Sequence, residues 1–395
     1  MQEKQDKKIF NFTRGEESKL TSWYFEIDRS LLGLVLMLIV IGLITMITAG
    51  AADATRMGHP WYFFIQKAIV PYLFGLFCLF GFSMLNKKQI IQISMLGVVV
   101  GIITLLLTVI PNPAQIIKNG SHRWLRIAGL IFMPADILKP FFIVVTAWFL
   151  ALMRKTYGSY IFFNKEAWKF NKISWIPYLM VFLVCVLLIL LHPDLGTALL
   201  YLGVFGVMLF VAEFPLKWLP GIFGVVGGFG ALAIAFLPQM AHVRERIEHI
   251  FYVEPRSQAW YSLNAIKHGG LLGSGEESFV KDVLPEATND FVYASIAEDW
   301  GAVGCIALLL LLLIVFNKLI THAIHARDDL VIYAISGVAA LFGIQICFNL
   351  MTALHLLINK GMTLPFISYG GVSFVTFCIT FGMILSLIHE DTWGK

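Results

Sequence analysis

Charge is what this chain has least of. Asp, Glu, Lys and Arg supply 14% of its 395 residues, against the ~25% of a typical soluble domain, and that shortage excludes a water-soluble globule. Cysteine is also sparse: Cys78, Cys185, Cys305, Cys347 and Cys378 each fall inside an apolar run, where the usual role is that of a small buried hydrophobe. Neither a disulfide framework nor a cysteine metal site is expected. The net charge of +4 is small and scattered, with no basic stripe interleaved with aromatics, so no nucleic-acid partner is expected. Residues 1–28 are polar and mixed in charge and lack the apolar core and cleavage site of a secretory leader, leaving insertion to the first span. Several catalytic signatures are missing too. The nearest approach to a phosphate-cradling loop, Gly269-Gly270-Leu271-Leu272-Gly273-Ser274-Gly275, has no Lys after it, which argues against ATP hydrolysis. There is no His-Glu-x-x-His pair and no Gly-x-Ser-x-Gly elbow, so metalloprotease and serine hydrolase chemistry drop out.

What is present is hydrophobic sequence, 58% of the chain, in runs near 20 residues that at ~1.5 Å per residue can each cross a ~30 Å hydrocarbon core. Spans are expected at 31–50, 68–85, 90–110, 130–153, 175–191, 195–212, 217–237, 300–320, 329–351 and 365–388. All should be helical, because lipid offers no partner to an unpaired backbone. The reading is therefore an all-α integral membrane protein of about ten transmembrane helices. Most Lys and Arg residues fall in segments that are cytoplasmic if the N-terminus is, which places both termini in the cytoplasm. The expected organisation is a tail at 1–29, a membrane domain at 30–390 and a short end at 391–395. One long extracytoplasmic loop, 238–299, joins helices seven and eight; it is either a solvated loop or a lid over a polar cavity. No internal repeat is visible.

Polar residues inside such a chain need a partner or a purpose, since a mid-bilayer charge costs at least ~2.5 kcal/mol on insertion scales. Asp136 and Lys139, three apart, share a helix face and can pair, either for packing alone or to line a polar cavity. Asp194, in Pro193-Asp194-Leu195-Gly196-Thr197, sits where it can cap the sixth span. Arg123 lies in Gly120-Ser121-His122-Arg123-Trp124 just outside the third span, as an interfacial anchor or as a phosphate ligand. Glu286 and Asp290 belong to Leu284-Pro285-Glu286-Ala287-Thr288-Asn289-Asp290-Phe291, an acidic segment entering an apolar helix. An acid at a helix start gains ~0.3–1 kcal/mol from the dipole, enough by itself to explain Asp290. Lys360 and Ser368 belong to the stretch from Lys360 to Gly371 that joins the last two spans; its glycine pair is compatible with close helix packing alone.

In this order the four motifs resemble the SEDS family of bacterial cell-wall proteins, over about Leu31 to the C-terminus, and its division branch more than its elongation branch. The departures are His192 for Gln, Met133-Pro134-Ala135-Asp136 for Gln-Pro-Ser-Glu, Thr288-Asn289 for His-Thr, and Leu357-Ile358-Asn359 for Leu-Pro-Thr. The resemblance implies a ten-helix glycosyltransferase that polymerises lipid II into septal glycan strands on the outer face of the bacterial cytoplasmic membrane. Its implied partners are a class B penicillin-binding protein, other divisome proteins and membrane lipids. Inverting polymerisation needs a base for the acceptor hydroxyl and electrostatic help for an undecaprenyl-pyrophosphate leaving group. Asp290, at the outer surface, is the expected base. Arg123, Lys139, Arg246 and Lys360 are expected to neutralise pyrophosphate, with Asp136, Asp194, Glu286 and Ser368 as further substrate-binding positions. A divalent cation, magnesium or manganese, held by Asp290 or by the phosphates, is a further expectation with no ligand spacing behind it. The alternatives are a lipid II flippase, which needs polar groups through the full membrane depth, and a non-catalytic divisome scaffold. The motif charges crowd outward, which favours the enzyme.

Overall fold

The computed structural model describes residues 19–110, 113–118, 121–127, 130–158, 161–170, 173–192, 194–218, 253–275, 279–357 and 361–393, with isolated positions between 219 and 252. Among them the apolar runs are helices: α1 (Lys19–Glu26), α2 (Arg29–Arg56), α3 (Phe63–Ser83), α4 (Lys87–Val109), α5 (Pro134–Tyr157), α6 (Trp175–Leu191), α7 (Leu195–Val211), α8 (Gln258–Gly269), α9 (Val280–Val283), α10 (Val292–His325), α11 (Asp329–Ala353) and α12 (Gly371–Trp393). Seven are long and apolar enough to cross a membrane, and α6 and α7 are shorter apolar helices. The chain is a multi-pass membrane protein. Local chemistry sets the boundaries: Asp28 caps α2, Asn86 and Gln89 form a capping box on α4, and Asp328 caps α11.

Side-chain pairs sort the helix ends onto two opposite faces. On the first, Lys87 meets Asp328, Arg154 meets Glu213 and Asp329 at 3.6 Å, and His389 meets Glu26 at 2.6 Å. The last pair brings the end of α1 and the last turns of α12 to one side. On the second face lie the C-terminal end of α2, the α6–α7 turn, α8 and the entry to α10. Glu213 belongs to the first face and α8 to the second. The expected span at 217–237 lies largely outside the described residues.

Helices α11 and α12 form the middle of the bundle; α12 packs along α3, while α5 lies against α4 and α11. Close approach depends on missing side chains: a Cβ on Gly42 would come within 2.2 Å of the Phe366 carbonyl oxygen, and one on Gly382 within 2.7 Å of that of Leu79. Several boundaries differ from the sequence expectation: α2 runs to Arg56 rather than 50, α3 starts at Phe63 rather than 68, and α10 runs to His325 rather than 320. Residues expected to begin the fourth span form instead the last strand of a small antiparallel sheet, β1 (Gln115–Lys118), β2 (Ser121–Ile127) and β3 (Leu130–Phe132). The helix starts at Pro134, a residue suited to the first helical position. α10 starts at Val292 but is broken at Gly301, so its second stretch begins at Ala302, close to the expected start of the eighth span at 300, and the tenth starts at Gly371 rather than 365.

Asp28 also ties the first face together, accepting hydrogen bonds from the Leu31 amide at 2.9 Å and His322 Nε2 at 2.6 Å, with Lys318 Nζ at 3.4 Å. Burial pushes its carboxyl up, but the His322 bond, the Leu31 amide and the Lys318 charge outweigh that and hold it well below the usual carboxylate range. A depressed carboxylate stabilises the fold above the unfolded value near ~3.9, and that contribution is lost as pH falls through the folded value. Asp28→Asn retains the cap but loses the charge, and is expected to cost about 1–3 kcal/mol at neutral pH. Thermal unfolding in detergent should show the gap between variant and parent closing as pH drops below ~4.

Candidate functional site

The acidic segment before α10 is a compact turn. Glu286 adopts a left-handed conformation with φ of 58°, and its carbonyl accepts the Asn289 and Phe291 amides at 3.0 and 3.2 Å. Its exposed carboxylate accepts from Asn289 Nδ2 at 2.7 Å. Leu284, Ala287 and Phe291 point into a small apolar cluster with Ala265 of α8, which anchors the turn from below.

Three consecutive carbonyls of this turn are each held by a different donor. The Tyr369 amide donates to Thr288 O at 2.8 Å, Ser368 Oγ to Asn289 O at 2.7 Å, and Asn349 Nδ2 to Asp290 O at 3.0 Å. Asn349 also donates to Met362 O at 2.9 Å, and Ser368 Oγ accepts the Leu364 amide at 2.8 Å. One buried amide on α11 and one hydroxyl therefore fasten the α10 entry to the α11–α12 connection. From α2, Asp53 Oδ2 accepts Thr288 Oγ1 at 3.0 Å and the Thr288 amide at 3.3 Å; its other oxygen meets Arg56 at 2.7 Å. Asp290 itself is half-buried, with Oδ2 3.8 Å from the point that a Cβ on Gly361 would occupy. Gly361 has φ of 69°, so its lack of a side chain both permits the turn and leaves room beside the carboxylate.

A second group forms where β2 meets the α6–α7 turn. Arg123 Nη1 lies 3.7 Å from Asp194 Oδ1, and Arg123 Nε donates to His192 O at 3.4 Å. Asp194 is the cap expected of it, accepting the Thr197 amide at 3.1 Å and Thr197 Oγ1 at 2.9 Å. His192 Nε2 meets Thr108 Oγ1 at the end of α4. A third group is on α5: Lys139 Nζ lies 2.5 Å from Asp136 Oδ1, with the lysine only 6% exposed. Tyr201 OH donates to Ala135 O at 2.8 Å beside this pair.

Of the expected site residues, Asp290, Glu286 and Ser368 share one cluster, Arg123 and Asp194 a second, and Asp136 and Lys139 a third. Arg246 and Lys360 lie outside the described residues. Sequence reasoning missed Asp53, Arg56 and Asn349. Asn349, an amide deep in an apolar run, carried a usable signal in its cost to the membrane. Asp53 and Arg56 fall just past the expected end of the first span at residue 50.

The fold and these motifs define a polytopic membrane protein whose described motif residues lie toward the second face of the helix bundle. The chain belongs to the FtsW/RodA/SpoVE family of cell cycle proteins, which residues 28–392 match; this is the SEDS family that its motifs resemble. It is 29% identical to the probable peptidoglycan glycosyltransferase FtsW of Caulobacter vibrioides, over 96% of this chain and 93% of that protein. Against the probable peptidoglycan glycosyltransferase FtsW of Thiomicrospira cyclica the identity is 30%, over 93% and 94%. Its fold is similar to a chain from a peptidoglycan synthase complex, with a TM-score of 0.73 at 24% identity, covering 93% of this chain and 99% of that one. The rod shape determining protein RodA of Thermus thermophilus shares the fold with a TM-score of 0.64 at 22% identity, covering 93% and 98%.

Proposed function

We propose that the chain polymerises lipid II into glycan strands on the outer face of the bacterial cytoplasmic membrane during septal wall synthesis, beside a class B penicillin-binding protein and other divisome proteins. The observation that carries this reading is the fixation of Asp290: three adjacent carbonyls, tied to α11 and to the α11–α12 connection, hold the backbone that carries one carboxylate. A general base must keep its geometry toward a hydroxyl that arrives from outside, and rigid backbone on both sides of the residue supplies that. In this reading residues 30–390 are the catalytic membrane domain and both short ends are cytoplasmic.

Asp290 takes the proton from the acceptor sugar hydroxyl as that oxygen attacks the donor sugar, with inversion, and undecaprenyl pyrophosphate leaves. Arg123, Lys139, Arg246 and Lys360 are assigned to the phosphates, although Arg123 and Lys139 already have Asp194 and Asp136 as partners, so each must share its charge with the substrate. Asp136, Asp194, Glu286 and Ser368 are assigned to holding these cations and the turn in place around the headgroup. Among the described residues no three His, Cys, Asp or Glu side chains are disposed to hold a metal. A magnesium or manganese ion would find one protein carboxylate, Asp290, and take its other ligands from pyrophosphate and water, the usual arrangement for magnesium. Bound there, it would offset charge on the leaving group.

The direct test is incubation of purified protein and its penicillin-binding partner with lipid II, with transpeptidation blocked, and resolution of the products on a gel. Glycan strands are the expected result; a preparation that flips lipid II between leaflets yet makes no strands overturns the enzyme reading.

A further inference from the structure

The Gly-rich stretch 269–275 has no part in the proposed chemistry, and its glycines have another use. Helix α10 is interrupted at Gly301, with φ of 66° and ψ of −169°, so it starts a second time at Ala302. A restarted helix leaves its first amides without partners, and within an apolar span no water can serve them. Here the Ala302 amide donates to Gly270 O at 2.9 Å and the Val303 amide to Leu271 O at 3.1 Å. The loop thus supplies acceptors for the first two amides of the restarted helix.

That contact is backbone on backbone. A Cβ on Gly269 would meet Ala297 O at 1.8 Å, one on Gly273 would meet Asp299 O at 2.2 Å, and one on Gly301 would meet Gly273 N at 2.3 Å. The segment is also pinned at its base. Both the amide and the hydroxyl of Ser274 donate to Glu298 O, at 2.8 and 2.9 Å. The fully buried Glu298 carboxylate collects the Phe279, Val280 and Lys281 amides and His268 Nδ1, all within 3.0 Å. A segment held this firmly should hide its apolar side chains, yet Leu271 is 75% and Leu272 82% exposed.

The geometry points to a lipid-inserted tongue: Leu271 and Leu272 occupy the hydrocarbon of the leaflet on the Asp290 face, which is the outer leaflet under the orientation proposed above. The occupant is acyl chain because the tongue continues a surface that already faces lipid. Val303, whose amide is bonded to the tongue, opens an exposed apolar stripe on α10 that runs through Ile306, Leu310 and Leu313, at helical one-face spacing. Lys267, exposed in the last turn of α8, stands a few residues before the tip, the place for a lysine reaching the headgroup level. The tongue sets the depth of α8, and through the cluster of Ala265, Leu284 and Phe291 the depth of the Asp290 turn.

The test uses the full chain with its exposed Cys347 replaced, reconstituted in phospholipid nanodiscs, with a nitroxide attached at Leu271→Cys, Leu272→Cys, Lys267→Cys or Leu310→Cys. Collision with oxygen, which concentrates in hydrocarbon, is compared with collision with a water-soluble nickel chelate. The expected result is that labels at 271 and 272 favour oxygen, as the Leu310 reference does, and that 267 inverts toward the chelate. Preference for the chelate at 271 and 272 overturns the tongue, and so does shielding from both reagents, which would mean that another protein surface covers it. If the Leu310 label also favours the chelate, the spanning assignment of α10 has failed instead.

Discussion

Asp290→Asn should abolish strand synthesis from lipid II while insertion and partner binding persist. The amide keeps the size of the acid and cannot take a proton at neutral pH. A positioned general base contributes ~10²–10⁴-fold, so the loss should be at least of that order. A structural acid at a helix start predicts otherwise, because its replacement forfeits only the ~0.3–1 kcal/mol of dipole interaction. The surroundings make the comparison clean: the bonds from Tyr369, Ser368 and Asn349 all end on backbone carbonyls, which the substitution leaves untouched. Asp290→Glu should rescue poorly, since one more methylene moves the carboxylate within a turn that cannot shift to follow it. Polymerisation at the parent rate by purified Asp290→Asn would remove Asp290 from the chemistry.

Removing one member of the Asp136–Lys139 pair should do more harm than removing both. The two sit 2.5 Å apart on the first turns of α5, with side chains 19% and 8% exposed respectively. Stranding one buried charge costs ~3–5 kcal/mol, whereas replacing a buried pair by apolar groups is often close to neutral. Lys139→Met alone should therefore accumulate poorly in the membrane and melt early, and Asp136→Leu/Lys139→Met should recover most of both. Equal levels of the single and double variants would contradict the pairing. If strand synthesis stays low in the recovered double variant, the pair serves the substrate as well as the bundle.

The helices were legible because hydrophobic run length answers directly to bilayer thickness. α6 begins and ends where its apolar run does, and α11 starts at the expected Asp329. Misplacement occurred where an apolar run continues past the helix into structure of another kind. Leu130, Ile131 and Phe132 read as span because a three-residue strand is too short to show an alternating period, and their pairing with β2 is the only thing that makes them a strand. Residues 365–370 read as helix on apolarity, but Ser368 and Tyr369 are committed to the turn before α10, so α12 waits until Gly371. At the site, Asp290, Glu286 and Ser368 were recognisable from motifs. Asp53 was not, because its partner Thr288 lies 235 positions away and no local pattern reports such a contact.

That separation also orders events during synthesis. Helix α2 enters the membrane first, carrying Asp53 with only Arg56, three residues on, to neutralise it. The bond to Thr288 waits until most of the chain has emerged, and the seat of α2 against the Phe366 backbone, through Gly42, waits longer still. Ser368 and Tyr369 are among the last residues to arrive. A nascent or truncated chain can thus possess Asp290 and every helix before it without the ties that hold the carboxylate in place. Under the proposed role of Asp290, a chain truncated before Ser368 is expected to make no glycan strands.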